Sequence, residues 1–386
     1  MIPQVLPIRY FLNPRARGVE GYGPELSAIL NVQGHQEAFQ EISSWEGYAP
    51  TPLRQLPGLA RRLGLGAIWY KDEGSRFGLG SFKALGGAYG VFRVLRDILE
   101  KAGKGGVSSR ELRDGRHRDV ISDITVTCAS AGNHGLSVAM GARTFGCRAV
   151  IFLPRDTAPQ RVAAIPALEG EVTFVHGSYD DAVREAAEEA KAMGWHVVSD
   201  TAYPGYEEVP RHIMQGYTVL VREALDQMSG TPTHCFVQGG VGGLAAAVTA
   251  HLWEAAGHEG PPVTVVVEPA EADCLLESAL AGGLTPSRGS LRTSMSCLAC
   301  QVPSTLAWPI LQRGARGFLS IPDYAAQEMV EALTEGTGGD PAIHSQASGA
   351  AGLAGLVAAC FEPTLSDPLG LGENSRVFVV GSEGPP

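Results

Sequence analysis

Tyr70-Lys71-Asp72-Glu73-Gly74-Ser75-Arg76-Phe77-Gly78-Leu79-Gly80-Ser81-Phe82-Lys83-Ala84-Leu85-Gly86-Gly87 leads from an apolar run through a glycine-bearing turn into a small-residue helix start. Ala67-Ile68-Trp69-Tyr70-Lys71 reads as the strand before it, and Phe82 to about Leu99 as the helix after it. By residue type alone, Lys83 is a solvated lysine at the start of a surface helix. The other reading is an amine enclosed in a dry pocket, where lost solvation favours the neutral, nucleophilic form. The rest of the chain decides between the two.

Downstream, strands and helices alternate. Strands are expected at 124–127, 148–153, 172–175 and 195–198, with helices at 135–145, 158–169 and 178–193 between them. A second series runs through helix 210–228, strand 234–237, helix 244–256, strand 263–267 and a last strand at 377–380. This rhythm predicts an α/β fold with mostly parallel sheets covered on both faces. Residues 1 to about 50 read as an extended arm with short helices, 100–120 as a surface excursion, and 361–375 as a Pro/Gly-rich loop.

The chain has 386 residues, enough for two lobes, and its 30 Lys+Arg against 41 Asp+Glu give a net charge of −11. No basic cluster is present, so nucleic acid is not an expected partner. No apolar stretch reaches the roughly 20 residues of a membrane span, and Met1-Ile2-Pro3-Gln4-Val5 lacks the pattern of a secretory signal; a cytoplasmic location is the expectation. The seven cysteines (128, 147, 235, 274, 297, 300 and 360) do not make a disulfide framework. Cys297-Leu298-Ala299-Cys300 has no second pair or nearby histidine to complete a zinc site, so no metal is expected there.

Two more strand-to-helix turns carry chemistry. Ser130-Ala131-Gly132-Asn133-His134-Gly135 offers backbone amides at a helix start, suited to a substrate carboxylate, and Asn133 adds a neutral amide for a ring oxygen. A plain turn with Asn133 as a cap explains the same residues. Gln238-Gly239-Gly240-Val241-Gly242-Gly243-Leu244 suits a phosphate cradle of backbone amides. Gly240 to Ala245 also matches the dinucleotide pattern G-x-G-x-x-G/A, with Glu268 where a ribose-binding acid would stand. That alternative leaves Lys83 and the 130–135 loop unexplained. A lysine, a phosphate cradle and a carboxylate loop together suit pyridoxal 5'-phosphate, whose aldehyde needs a fixed amine.

In this order, Ser81-Phe82-Lys83, the 130–135 loop and Gly239–Gly243 resemble the tryptophan synthase β-like family of pyridoxal phosphate enzymes, fold type II. Lys71-Asp72-Glu73, Arg76-Phe77-Gly78-Leu79, Leu85-Gly86-Gly87, Asp200-Thr201-Ala202, Met214-Gln215-Gly216-Tyr217, Pro232-Thr233-His234, Val267-Glu268-Pro269, Ala272-Asp273-Cys274 and Leu298-Ala299-Cys300 narrow the resemblance to the diaminopropionate ammonia-lyase family. It covers about residue 35 to the C-terminus.

The resemblance implies two doubly wound α/β domains with the cofactor in the cleft between them. Residues 1–95 and 205–386 would form the larger, cofactor-binding domain, and 96–204 the smaller one with the substrate-carboxylate loop. It implies β-elimination from 2,3-diaminopropionate or a related β-substituted amino acid, yielding a 2-oxo acid and ammonia. Lys83 would hold the cofactor, beside Phe82, and move the substrate Cα proton. Asn133 would face the cofactor ring oxygen, the amides of Gly240, Val241, Gly242, Gly243 and Leu244 its phosphate, and Ser382 its pyridine nitrogen. Asp200 would be a second acid or base, with an ordinary helix cap at Asp-Thr-Ala as the alternative. Ser130, Ala131, Gly132, Asn133, His134 and Ala347 would face a small amino-acid substrate. Cys274 and Cys300 match a pair that can form a disulfide in the family, and homodimers are usual there.

Two positions depart from the family pattern. Ala131 stands where the family has Asp before Gly-Asn-His-Gly, and Ala347, in Gln346-Ala347-Ser348-Gly349, where it has Glu. Each removes a carboxylate that could answer a cationic β-amino group. The first loop then also resembles serine/threonine dehydratases, so a dehydratase of a β-hydroxy amino acid, including β-aryl serines, is the alternative; the missing aspartate also bears on D-isomers. A non-catalytic ligand-binding homologue is a third reading, against which Lys83 stands.

Overall fold

His234-Cys235-Phe236-Val237-Gln238 and Val263–Pro269 are near-continuous apolar runs, the pattern of strands buried on both faces, and all five residues of the first are buried. The computed structural model describes residues 7–16, 21–257 and 260–385. The reading of Met1 to Val5 therefore lies outside the described residues.

The strands are β1 (Arg9–Leu12), β2 (Leu53–Gln55), β3 (Ala67–Asp72), β4 (Thr125–Cys128), β5 (Arg148–Pro154), β6 (Glu171–Val175), β7 (His196–Val197), β8 (His234–Gln238), β9 (Val263–Pro269), β10 (Ala315–Ile321) and β11 (Arg376–Gly381). The helices that matter below are α1 (Lys83–Lys101), α2 (Asn133–Phe145), α3 (Glu208–Gln227), α4 (Gly243–Ala256), α5 (Cys274–Ala281) and α6 (Ala347–Phe361).

The chain divides into two units, 1–32 with 50–75 and 220–386, and 33–49 with 76–219. The first holds a seven-stranded sheet in the order β1-β10-β9-β8-β11-β3-β2. Its five inner strands are parallel, and β1 and β2 close the edges antiparallel. α6 lies directly on this sheet because its contact face is made of small residues. A Cβ at Gly352 would come 2.9 Å from the Phe236 carbonyl oxygen, and one at Gly355 2.4 Å from Val267 Cγ2. Filling that face would overpack the core at about 1–3 kcal/mol per site. Lys71 is fully buried in this unit, its Nζ 2.7 Å from Glu223 and 2.6 Å from the Thr51 carbonyl.

The second unit holds an all-parallel sheet, β6-β5-β4-β7. α1 runs along α2 at close range: a Cβ at Gly141 would meet Ala88 Cα at 2.8 Å, and one at Gly87 would meet Ser137 Oγ at 2.1 Å. α1 meets α3 through a reciprocal pair of glycines. A Cβ at Gly86 would strike Tyr217 and Ile213, and one at Gly216 would strike the Leu85 carbonyl. This packing places residues 76–95 and 205–219 with the second unit, whereas the sequence reading put them in the larger domain.

Other expectations differ in detail. The N-terminal arm supplies the edge strand β1 and a twelve-residue helix, Val32–Ser43. The 100–120 excursion contains two short helices that bury Leu112 and Ile121. The expected 361–375 loop contains the helix Pro363–Leu369, because Pro363 stands in its first turn and the Glu362 side chain accepts from Thr364 N–H. The helix expected at 158–169 breaks at Pro166 into Pro159–Ala164 and a 3-10 turn. No single helix among the described residues is long and apolar enough to cross a membrane.

Candidate active site

In the second unit, the C-terminal ends of the adjacent parallel strands β4 and β7 present two connections side by side, 129–132 and 198–207. His134 ties them: its Nε2 lies 2.7 Å from the Val198 carbonyl oxygen, so that nitrogen carries the proton and donates. Its Nδ1 is then 4.0 Å from Asp200 Oδ2. Burial pushes the His134 imidazole down, against the pull of the Asp200 carboxylate, so the ring is neutral.

Lys83 opens α1, and its Nζ forms an ion pair with Asp200 Oδ2. Burial alone would raise the Asp200 carboxyl. The Lys83 ammonium, by charge and by hydrogen bond, outweighs that and holds it well below the usual carboxylate range. The Lys83 ammonium also stands 5.3 Å from the Phe82 ring centroid and 5.6 Å from that of Tyr217, two rings packed edge-on at 4.7 Å. The backbone beneath Lys83 is fixed by Ser137, whose Oγ donates to the Lys83 carbonyl at 2.7 Å and accepts from Ala88 N–H at 3.1 Å.

The 130–135 loop is as tight as its composition implies. A Cβ at Gly135 would lie 1.8 Å from the Ser130 carbonyl oxygen, and Ser130 Oγ accepts from Gly132 N–H at 3.3 Å. Ala131, Gly132 and Asn133 are half-buried at the N-terminus of α2, where backbone amides and the helix dipole favour an anion.

In the first unit, the second glycine loop leaves β8 at Gln238 and enters α4 at Gly243. Gly242 has φ +97°, a conformation that favours glycine, and a Cβ there would meet Ala307 at 3.1 Å. A Cβ at Gly239 would strike Leu275 and Val266, and one at Gly240 would reach Cys300 Sγ at 3.1 Å. The ladder of α4 begins with Ala246 N–H donating to Gly242 carbonyl, so the amides of Gly243 and Leu244 precede it and have no helical acceptor. Ser382 is buried directly after β11, the strand beside β8, and Gln238 Nε2 donates to the Val380 carbonyl between them at 3.0 Å. Cys274 and Cys300 both border Gly240, and no disulfide joins them. Ala347 opens α6, half-buried.

Glu268 disposes of the dinucleotide reading. It is fully buried, and its two carboxylate oxygens accept from Leu275 and Leu276 N–H at 2.8 and 2.7 Å, capping α5. It is thus committed to the protein backbone, with nothing left for a ribose.

The second unit supplies a primary amine at a helix start, which fits the aldehyde of pyridoxal phosphate, and the first a close-packed glycine loop with helix-start amides, which fits a phosphate, and a buried hydroxyl. The sequence profile described as "Pyridoxal-phosphate dependent enzyme" matches residues 45–382. A diaminopropionate ammonia-lyase of Escherichia coli K12 is 38% identical over 94% of this chain and 91% of its own length.

The chain belongs to the diaminopropionate ammonia-lyase family of pyridoxal phosphate-dependent enzymes.

Solved structures of the Escherichia coli member of that family agree over the whole fold. Its complex with D-serine superposes with a TM-score of 0.86 at 35% identity, covering 98% of this chain and 94% of that one. Its complex with an aminoacrylate-PLP azomethine reaction intermediate gives 0.85 at the same identity and coverage. The fold type II architecture expected from the sequence is the one observed.

Of the site residues expected from sequence, the structure gathers Phe82, Lys83, Ser130, Ala131, Gly132, Asn133, His134 and Asp200 in the second unit. Gly240, Val241, Gly242, Gly243, Leu244, Ser382 and Ala347 belong to the first. Sequence reasoning assigned no role to Ser137 or Tyr217. Tyr217 stood inside the matched Met214-Gln215-Gly216-Tyr217 run, which is a usable signal; a lone serine four residues into a helix offers none.

Proposed function

We propose that this chain eliminates the β-amino group of 2,3-diaminopropionate as ammonia, and that one water then releases the α-amino group as a second ammonia, leaving a 2-oxo acid. The observation that carries the proposal is the Lys83–Asp200 pair beside the 130–135 loop. Pyridoxal phosphate, when bound, supplies the electron sink that makes a substrate Cα proton removable. Lys83 would hold its aldehyde carbon and would move that proton; the amides of 240–244 would hold the phosphate, Asn133 the ring oxygen and Ser382 the pyridine nitrogen. A hydroxyl at that nitrogen does not enforce ring protonation, which suits an elimination. The amides at the start of α2 orient the substrate carboxylate. Asp200 stays ionised, receives the Lys83 ammonium and offers a carboxylate to a cationic β-amino group, a role left vacant by Ala131 and Ala347.

Ala131 favours a second reading, dehydration of a β-hydroxy amino acid, because a hydroxyl leaving group needs no such carboxylate. A panel of L- and D-diaminopropionate, serine, threonine and β-phenylserine, scored for 2-oxo acid, separates the two. Diaminopropionate is expected to have the highest kcat/KM; a β-hydroxy amino acid at the top reverses the assignment. The homodimer implied by the family resemblance and the cytoplasmic location expected from the sequence complete the proposal. Sedimentation of the holoenzyme and fractionation of the source cells check them.

A further inference from the structure

Away from Lys83, α1 and α3 meet again at Asp97, Glu208 and His212, whose donor atoms lie within 4.8 Å of one another. Glu208 and His212 are one helical turn apart on α3, so both project from the same face, and Asp97 comes from α1. His212 is 94% buried, being 6% exposed, and its Nδ1 is 2.9 Å from Gln215 Oε1. The amide oxygen can only accept, so Nδ1 carries the proton and Nε2 is left with a lone pair. That Nε2 is buried and has no hydrogen-bond partner among the described residues.

Arg93, Arg96 and Arg211 stand around the cluster. Asp97 and Glu208 bring two carboxylates within 4.8 Å of the His212 donor atom. Neither Asp97 nor Glu208 makes an ion pair among the described residues, although arginines are near. Arg93 Nη1 is turned to Tyr89 Oη at 3.1 Å and Glu37 at 3.4 Å, and Arg96 pairs with Glu100 at 3.6 Å.

We infer that Asp97, Glu208 and His212 form a site for a divalent first-row metal ion of the Zn2+ type, clamping α1 to the start of α3. One neutral imidazole and two carboxylates with an exposed side for water is a set Zn2+ accepts. Gln215 is the positioning residue that fixes the imidazole tautomer, as outer-shell acceptors do for ligating histidines. The clamp would act on the two helices that present Lys83 and Tyr217, and the segment entering α3 at Glu208 carries Asp200.

The test is a Zn2+ titration of the holoenzyme against a chromophoric chelator, with the thermal midpoint followed in parallel. Wild type is expected to take up one tight equivalent per chain and to gain in Tm. Glu208 is exposed, so Glu208→Gln leaves the fold intact; it should weaken that equivalent by at least about tenfold. Gln215→Leu should weaken it by about 10–100-fold by releasing the imidazole. Cys297→Ser, which removes an exposed thiol, should leave it unchanged. A tight equivalent that survives Glu208→Gln and His212→Ala, or disappears with Cys297→Ser, overturns the assignment, as does the lack of any tight equivalent in wild type.

Discussion

Lys83 and Asp200 form an ion pair across 117 residues of sequence, and each is held from behind by a separate hydrogen bond network. Ser137 fixes the backbone of the lysine, while Thr201 Oγ1 at 3.4 Å and the neutral His134 ring border the aspartate. The lysine proposed to hold the cofactor and the carboxylate proposed to receive its charge are thus built within one unit of structure.

Lys83→Ala should abolish both turnover and the yellow absorbance of the reconstituted protein. The absorbance is the sharper readout, because it reports the amine–cofactor bond and not the rate. A coloured Lys83→Ala protein, or a colourless wild type after reconstitution, contradicts the assignment of Lys83.

Asp200→Asn keeps the shape of the side chain and removes its charge. We expect kcat to fall about 10²–10⁴-fold, the usual worth of a positioned acid or base. The cofactor-free protein offers a stability test as well. Asp200 titrates lower in the folded protein than its ordinary value of about 3.9. Its contribution to stability is therefore present above that value and is lost as pH falls toward the folded one. The difference in thermal midpoint between wild type and Asp200→Asn should be constant above about pH 5 and shrink below about pH 4. A difference that persists unchanged to lower pH would mean the charge is not what matters.

Gly242→Ala forces an L-residue to φ +97° and sets its Cβ 3.1 Å from Ala307. A backbone strain of about 1–2 kcal/mol is expected there, and the loop can relieve it only by moving its amides. Equilibrium dialysis should show pyridoxal phosphate held roughly tenfold or more weakly, while the absorbance of the bound fraction stays normal.

Ala131→Asp restores the carboxylate that the family pattern carries at this position. A charge-assisted hydrogen bond to the β-ammonium is worth roughly 1.5–3 kcal/mol, so kcat/KM for diaminopropionate should rise by one to two orders of magnitude. Turnover of β-hydroxy amino acids should not rise with it. Equal gains on both substrates would show that position 131 does not read the β-substituent.

Much of this site is legible in the sequence because its parts are local. A strand that turns into a helix at a ligand needs small residues at the turn, and Gly135, Gly240 and Gly242 each sit where a Cβ would strike a neighbour or strain the backbone. The parallel strands announce themselves as continuous apolar runs, as in β8 and β9. Glu268 shows the limit of such reading. Its spacing from the glycines suits a ribose, yet it faces the two amides of α5, because the start of that helix is buried and its donors must be satisfied. Residues 76–95 were likewise assigned by order along the chain, whereas the unit they join is set by the glycine-lined contacts of α1 with α2 and α3.

The sequence by itself determined the alternation of strands and helices, the lysine, the two glycine-bearing loops and the missing acids at 131 and 347. These follow from steric and hydrogen-bond demands that act within a few residues. The partner of Lys83, the tautomer of His134, the duty of Glu268 and the meeting of Asp97 with His212 were decided only by tertiary structure. Each depends on which helix faces pack and which polar atoms they seal from water, and burial fixes the charge and hydrogen-bond role of a side chain that its neighbours in sequence leave open.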